Sequence, residues 1–181
     1  IYVNPVSNYT STDRLSTELE VLFRQRPLLV GLSCQLPEPG DFLTCDYTGI
    51  PQWIVRGENG TVRAFMNVCR HRGARVAEGH GNTRKRFRCP YHGWNYDTSG
   101  KLVGIPDKQS FPGIDRPACG LIPLPVTESD GMIWASATPA LTSDVSAKID
   151  IQSQLEGLGT ELRSYDVARY HHYASRALHL K

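Results

Sequence analysis

Four residues with metal-binding side chains lie in two short motifs, Cys69-Arg70-His71 and Cys89-Pro90-Tyr91-His92, with 17 residues between them. Each motif brings one thiolate and one imidazole into a single tight turn. A match of this kind is expected about 4 × 10⁻⁴ times by chance in a chain of this composition. Thiolate and imidazole are ligands for zinc and for iron–sulfur clusters. The spacing therefore predicts a metal site formed by Cys69, His71, Cys89 and His92.

Two kinds of metal group use two cysteines and two histidines. Structural zinc sites usually place a cysteine pair before a histidine pair, whereas here the two types alternate within each turn, which suits two irons with one ligand type each. Replacing two thiolates on one iron by neutral imidazoles raises the potential from about −400 mV to between about −150 and +300 mV. We therefore predict a [2Fe–2S] cluster and one-electron transfer, with a structural zinc ion as the alternative.

The residues beside these four positions are typical of an embedded cluster. Gly73 and Gly93 follow the histidine turns and would let backbone N–H groups approach the sulfides. The aromatic residues Tyr91, Trp94 and Tyr96 could exclude water from the site. For Trp94 and Tyr96, ordinary core packing explains the residue type equally well.

Composition sets broad limits on the chain. It has 181 residues, 40% of them hydrophobic, and a formal net charge of +2, which predicts one soluble domain and argues against nucleic acid as a partner. The basic run Arg84–Arg88 is expected to be a solvated loop. No apolar stretch approaches the roughly 20 residues of a membrane span, and no signal peptide opens the sequence. Cys34, Cys45 and Cys119 have no pairing pattern and are expected to be buried free thiols, which favours a reducing cytoplasm.

The elements that position the motifs are mostly short strands. A helix is predicted over Ser11–Arg24, with an apolar stripe of Leu15, Leu19, Leu22 and Phe23. A second helix is predicted over Ser146–Glu156, and Tyr165–Leu180 is expected to be extended. Alternating patterns and turn residues predict strands at Leu28–Ser33, Asp41–Asp46, Gln52–Arg56, Thr61–Asn67, Phe87–Arg88, Trp94–Tyr96, Lys101–Val103 and Met132–Ala135. Close spacing of short strands predicts an antiparallel sandwich or barrel.

The stretches Asn67–Ala74 and Cys89–Trp94 resemble the Rieske signature of ring-hydroxylating oxygenase α subunits, and the likeness covers roughly residues 11 to 140. It implies a mostly β, Rieske-type antiparallel sandwich with a cluster-binding subdomain and short N- and C-terminal helices. It also implies that Cys69 and Cys89 bind one iron and that His71 and His92 bind the other through Nδ1. The residues expected around them are Arg72, Gly73, Tyr91, Gly93, Trp94 and Tyr96.

The resemblance also implies partners. In the family a ferredoxin or reductase supplies the electron, which passes to a mononuclear Fe(II) in a catalytic domain, usually across a subunit boundary within a trimer. That iron activates O₂ to oxidise an aromatic or other organic substrate, by dioxygenation or monooxygenation. The predicted division is a helical leader (1–27), the Rieske domain (28–140) and an extension toward a catalytic domain (141–181).

The catalytic iron site itself is not predicted in this sequence. The family uses a 2-His-1-carboxylate triad, and the remaining histidines, His80, His171, His172 and His179, lack its spacing. We therefore expect the N-terminal part of a longer oxygenase, unable to hydroxylate by itself. A stand-alone Rieske ferredoxin is the alternative. Respiratory Rieske proteins carry extra cysteines and a serine where this chain has Ala74, Tyr91 and Trp94, which predicts a potential at the low end of the range.

Overall fold

The structure is a computed structural model that describes residues 3–83, 85–139, 149–174 and 176. Within these residues the chain forms eleven short strands in three antiparallel sheets. The strands are β1 (Leu28–Leu32), β2 (Asp41–Cys45), β3 (Gln52–Arg56), β4 (Val62–Met66), β5 (His80–Asn82), β6 (Arg86–Arg88), β7 (Asn95–Asp97), β8 (Leu102–Gly104), β9 (Pro123–Leu124), β10 (Val126–Ser129) and β11 (Met132–Ala135). The predicted mostly β, antiparallel fold is confirmed.

A five-stranded sheet, in the order β5-β2-β3-β4-β9, is the central layer of the fold. Side chains along its middle strand alternate between the two faces. Ile54 belongs to a core shared with the sheet β1-β11-β10, whereas Trp53 and Val55 belong to a core shared with the small sheet β6-β7-β8. All three side chains are fully buried. Burial on both faces explains why β3 has so few polar residues.

The small sheet β6-β7-β8 carries one of the two metal-binding motifs. Phe87 in β6 points into the core against Phe42 and Trp53, with ring centroids 5.1 and 4.1 Å away. Its neighbours Arg86 and Arg88 are exposed on the opposite face. The loop from β6 to β7 holds the second motif, and the loop from β4 to β5 holds the first. Each motif therefore follows a strand that places at least one side chain in the core.

The N-terminal helix forms, but most of its predicted apolar stripe is exposed. It consists of α1 (Ser7–Thr10), α2 (Thr12–Glu18) and a π-helical turn over Leu19–Arg24. Ser11 caps α2 by accepting a hydrogen bond from the Arg14 N–H. However, Leu15, Leu22 and Phe23 remain 55%, 52% and 37% exposed. The periodicity identified an apolar face correctly, but no described residue covers it fully.

The C-terminal predictions need correction. The helix α3 spans only Ile151–Leu155, and Asp150 caps it; residues 146–148 of the predicted helix lie outside the described part. Gly157 lies between the end of α3 and the start of α4 (Leu158–Ser164), a helix that was not predicted. The expected extended segment begins with a 3₁₀ turn at Val167–Arg169. That turn packs against Gly131, where an added Cβ would collide with the backbone of the turn.

Three strands were not predicted. They are β5, β9 and β10, of two to four residues each. In β5, His80 and Gly81 pair with β2 at the edge of the central sheet. All five cysteines are free thiols, with Cys45 buried and Cys34 and Cys119 half-buried. No described helix is long and apolar enough to cross a membrane.

Candidate metal centre

The first motif lies in a loop that its own backbone closes. The Cys69 N–H donates to the Ala74 carbonyl at 2.8 Å, and the Gly73 N–H donates to the Cys69 carbonyl at 2.9 Å. Gly73 has φ +74°, a conformation that glycine adopts without strain. The turn therefore places His71 at the tip of a closed ring of hydrogen bonds.

A buried amide anchors the same loop to its downstream end. Asn67 is fully buried. Its Oδ1 accepts the N–H groups of Val76 and Ala77 at 2.9 and 3.1 Å, and its Nδ2 donates to the Ala77 carbonyl at 2.7 Å. The sequence marks this residue only as part of a motif. Its structural role has no local signal, because its partners lie nine and ten residues away.

The second motif repeats the backbone pattern of the first. The Cys89 N–H donates to the Trp94 carbonyl at 2.8 Å, and the Gly93 N–H donates to the Cys89 carbonyl at 3.0 Å. Gly93 has φ +72°. A Cβ at this position would lie 2.8 Å from Pro106 Cγ. Both the backbone conformation and the available space therefore require glycine here.

The two loops place the two imidazoles side by side and the two thiols side by side. The imidazoles of His71 and His92 lie with centroids 4.5 Å apart. Cys69 and Cys89 are 3% and 2% exposed, and their thiols interact. Burial raises the pKa of the Cys69 thiol, the hydrogen bond with Tyr96 opposes that rise, and the neighbouring Cys89 adds to it. The site is therefore a thiol pair next to an imidazole pair.

The two histidines have different surroundings. The ring of His71 stacks on Trp94, 4.9 Å away and tilted by only 8°, and meets the edge of Phe111 at 5.3 Å. Burial, followed by the nearby His92 and Arg72, lowers the pKa of His71. His92 is exposed, and its only other aromatic contact among the described residues is Tyr91, with centroids 3.8 Å apart.

A buried nitrogen without a hydrogen-bond partner indicates that these residues fit an iron–sulfur group. The Nδ1 of His71 is buried without a hydrogen-bond partner, and a buried imidazole nitrogen in that state is costly unless something binds it. Among the described residues, no three His, Cys, Asp or Glu side chains are arranged around a single metal position. Two thiols and two imidazoles, paired by type, match the two-plus-two ligand demand of a [2Fe–2S] group. The residues present fit it.

Tyr96 does more than the predicted exclusion of water. Its hydroxyl is buried, accepts the Arg70 N–H at 3.1 Å and lies 3.3 Å from Cys69 Sγ. Because the oxygen already accepts from Arg70, its proton is available to the sulfur. Burial, and then the hydrogen bond to Cys69, raise the pKa of Tyr96, so that it stays protonated.

The other predicted neighbours divide into buried and exposed groups. Trp94 is 3% exposed, as expected for a residue that excludes water, whereas Tyr91 is 61% exposed and does not enclose the site. Arg72 is also exposed, beside His71. Phe111 was missed entirely, since it lies 40 residues from His71 and nothing in its sequence surroundings marks it.

The remaining histidines that the structure describes make no ring contact with His71 or His92. His80, His171 and His172 are exposed. His80 and His172 line a separate cavity of about 200 Å³ together with Tyr47 and Thr44. His179 lies outside the described residues.

The chain is similar to known proteins in sequence and in fold. Residues 26–124 match the family described as Rieske [2Fe-2S] domain. The sequence is 42% identical over 130 residues to biphenyl 2,3-dioxygenase subunit alpha of Rhodococcus jostii strain RHA1, a match that covers 71% of this chain and 28% of that protein.

Solved structures extend the likeness to the fold. A quaternary ammonium Rieske monooxygenase, CntA, superposes with a TM-score of 0.78 at 27% identity, over 90% of this chain and 43% of that one. Naphthalene 1,2-dioxygenase from Rhodococcus sp. superposes with a TM-score of 0.75 at 29% identity, over 87% of this chain and 35% of that one. The chain thus spans less than half the length of each of these three relatives.

Proposed function

This chain belongs to the Rieske [2Fe–2S] domain family, and we propose from that membership that Cys69, His71, Cys89 and His92 hold its cluster. The domain would relay single electrons within a ring-hydroxylating oxygenase. The observation that carries the assignment is the buried, unpartnered Nδ1 of His71, which lies beside a second imidazole and a buried pair of thiols. A structural histidine would have its nitrogen satisfied by the protein.

When bound, a mixed-ligand cluster supplies one-electron chemistry at a potential between about −150 and +300 mV. The chain's residues set the conditions for that chemistry. The closed hydrogen-bonded loops hold the four ligands in place. Tyr96 directs a proton toward Cys69 Sγ, which favours extra negative charge at that sulfur. Trp94 and Phe111 exclude water from His71, while the exposed His92 leaves one edge open to a partner.

The larger protein and its partners form the second part of the proposal. The relatives are oxygenase subunits of which this chain covers only a part. We propose that the electron comes from a ferredoxin or reductase and leaves for a mononuclear iron in a catalytic domain of the same or a neighbouring subunit of a trimer. The aromatic dioxygenase relatives favour an aromatic substrate. We propose a cytoplasmic location for the enzyme. The relatives give no support to the alternative of a stand-alone ferredoxin.

The cluster assignment is tested by reconstituting the chain with iron and sulfide. We expect two irons and two acid-labile sulfides per chain, and an EPR signal after dithionite reduction that shows coupling to two imidazole nitrogens. His71→Ala and Cys89→Ala should abolish that signal. The control Cys34→Ser, which removes a half-buried free thiol, should retain it. A chain that binds one zinc ion and no sulfide would contradict the assignment.

The oxygenase assignment has a separate test. The natural polypeptide should continue past Lys181 into a segment with a 2-His-1-carboxylate triad. The reduced, cluster-loaded chain alone should not convert an aromatic hydrocarbon in air. Turnover by this chain alone would overturn this part of the proposal and leave the cluster assignment intact.

A further inference from the structure

Three parts of the C-terminal segment meet at one turn of the sheet β1-β11-β10. The turn consists of residues 129–131 and joins β10 to β11. Helix α3, helix α4 and the 3₁₀ turn at Val167–Arg169 all contact it. We name residues 150–169 the latch and residues 129–131 its seat.

The carboxylate of Asp130 makes the polar contacts between the seat and the latch. Its Oδ1 accepts a hydrogen bond from Arg163 Nε of α4 at 3.1 Å. Its Oδ2 accepts from Gln152 Nε2 of α3 at 3.2 Å and from Ser129 Oγ at 2.9 Å. The hydrogen bond from Ser129, together with the Arg163 guanidinium, outweighs burial and holds the pKa of this carboxyl below its usual range. One charged side chain therefore ties two helices to the sheet.

Gly131 lets the backbone of the latch approach the seat closely. An added Cβ would collide with the backbone nitrogen of Ala168 and would lie 2.6 Å from the carbonyl carbon of Val167. The Gly131 carbonyl accepts the N–H of Ser33 at 2.8 Å, which fixes the seat to the chain just after β1. The seat is therefore held from below by the domain and covered from above by the latch.

The latch and its seat contain backbone conformations that side chains rarely adopt. Among the described residues, three that are not glycine have positive φ: Asp130 at +53°, Glu156 at +47° and Asp166 at +51°. One lies in the seat and two lie in the latch. Glu156, with ψ −120°, is outside the left-handed helical region as well. Such conformations persist only where surrounding contacts enforce them, and they concentrate in segments that switch between arrangements.

Little apolar surface holds the latch in place. Its buried residues are Ile151 and Gly159, whereas Leu158 and Tyr165 are 60% and 53% exposed. Segments with few buried apolar contacts open locally at a low cost in free energy. The contacts of Asp130 therefore provide a large share of what keeps this segment closed.

We infer that residues 150–169 form a latch with a closed and an open state, and that Asp130 is the positioning residue that holds it closed. In the open state α3 and α4 leave the seat and the backbone of Glu156 relaxes to negative φ. The inference deepens the proposed function and rests on it for its purpose, because this segment is the one proposed to lead toward a catalytic domain. The state of the latch would set how that domain is placed relative to the cluster.

Hydrogen exchange of the cluster-loaded chain, followed by mass spectrometry, measures the opening of the latch. Asp130→Asn keeps the shape of the side chain and removes its charge, so peptides that cover 150–169 should exchange about fivefold faster. Peptides that cover β3 should not change, because the latch opens without unfolding of the central sheet. High salt should speed exchange of the latch in the wild-type chain and have little effect in Asp130→Asn.

Two further variants test whether the effect belongs to the contact between Asp130 and Arg163. Arg163→Gln should also speed exchange of α4, and the double variant should exchange no faster than Asp130→Asn alone, because both changes remove the same ion pair. Asp166→Asn is the matched control. Its ion pair with Arg169, at 3.4 Å, lies within the latch and does not involve the seat, so the exchange rate should change less than about twofold.

A pair of glycine substitutions opens the latch without any change of charge. Gly131 and Gly60 both have φ +79° and both lie in turns between antiparallel strands. Only Gly131 touches the latch, since nothing lies within 4 Å of a Cβ at Gly60. Gly131→Ala should speed exchange of the latch at least as much as Asp130→Asn does, and Gly60→Ala should leave it unchanged. If Gly131→Ala disrupts the β10–β11 turn itself, shown by faster exchange of β11, the charge variants carry the test.

The outcomes separate this inference from the proposed function. Equal exchange of the latch in the wild-type chain and in Asp130→Asn, or an equal rise in β3, would overturn the latch. The cluster EPR signal should be the same in both proteins, because none of the contacts described for Asp130 involves a ligand residue. A wild-type chain without that signal would overturn the proposed function and leave the exchange result as it is.

Discussion

The two loops that carry the Cys and His motifs have the same pattern of backbone hydrogen bonds but differ in their surroundings. In each, the cysteine N–H bonds the carbonyl five residues on, and a glycine four residues on bonds back to the cysteine carbonyl. The first loop is then tied into the core by Asn67, and its histidine is enclosed by Trp94 and Phe111. The second loop leaves His92 exposed.

That difference assigns distinct roles to equivalent turns. The contacts of Trp94 and Phe111 limit water at the His71 imidazole, whereas the second loop leaves the His92 imidazole exposed. A repeated local motif therefore produces one enclosed and one exposed histidine, and the distinction comes from tertiary contacts and not from the turns themselves.

The largest expected effect comes from removing the anchor of the first loop. Asn67→Ala deletes three hydrogen bonds and leaves the buried N–H of Val76 and the half-buried N–H of Ala77 without this partner, which should lower the free energy of unfolding by about 3 kcal/mol. Iron content should fall with it. Chemical denaturation and iron analysis measure both. Asn59→Ala, in an exposed turn, is the control, and an equal loss there would contradict the anchoring role.

A matched pair of glycine substitutions compares the loops directly. Gly73→Ala and Gly93→Ala both force alanine into a positive φ, which costs about 1–2 kcal/mol. Only Gly93→Ala also meets a neighbour, since its Cβ would lie 2.8 Å from Pro106 Cγ while nothing lies within 4 Å at Gly73. We expect Gly93→Ala to cost about 1–3 kcal/mol more. Equal unfolding midpoints for the two variants would show that Pro106 yields without cost.

The sequence predicted the features that depend on local pattern. Alternation and turn residues placed β3 and β11 at their observed bounds. The fixed spacing of two cysteines and two histidines identified the two thiols and two imidazoles that the structure brings together. The sequence did not predict contacts between segments that are distant along the chain. Periodicity marked the apolar face that includes Leu15 and Leu22 but does not say what covers it. The contact of Phe111 with His71 has no sequence signature.

Tyr96 connects the two loops, because it lies just beyond the second loop and its hydroxyl forms hydrogen bonds with the first. Its hydrogen bond to Cys69 Sγ favours the reduced, more negative state. Loss of about 1 kcal/mol of this preference in Tyr96→Phe should lower the midpoint potential by about 40 mV. Redox titration by EPR measures the shift. Tyr91→Phe, whose ring is exposed, should leave the potential unchanged, and a shift of the same size there would argue against the hydrogen bond.

The absolute potential tests the same reasoning at the position of Trp94. An indole stands where respiratory Rieske proteins carry a serine hydroxyl, so one hydrogen bond to sulfur is missing. We expect the wild-type midpoint toward the low end of the range from about −150 to +300 mV. A titrated value near the high end would contradict this.

The smallest expected effect concerns the enclosure of His71. With two thiolates and two neutral imidazoles, an oxidised [2Fe–2S] group and its ligands would be neutral overall. The reduced group would carry one negative charge, and burial disfavours reduction for that reason. Phe111→Ala admits water beside His71 and should raise the midpoint potential by about 20 mV, equivalent to about 0.5 kcal/mol. Phe111→Leu keeps most of the cover and should shift it less. Because Tyr96→Phe acts in the opposite direction, the double variant should fall between the two; a Phe111→Ala potential below that of wild type would show that the ring orients His71 instead of shielding it.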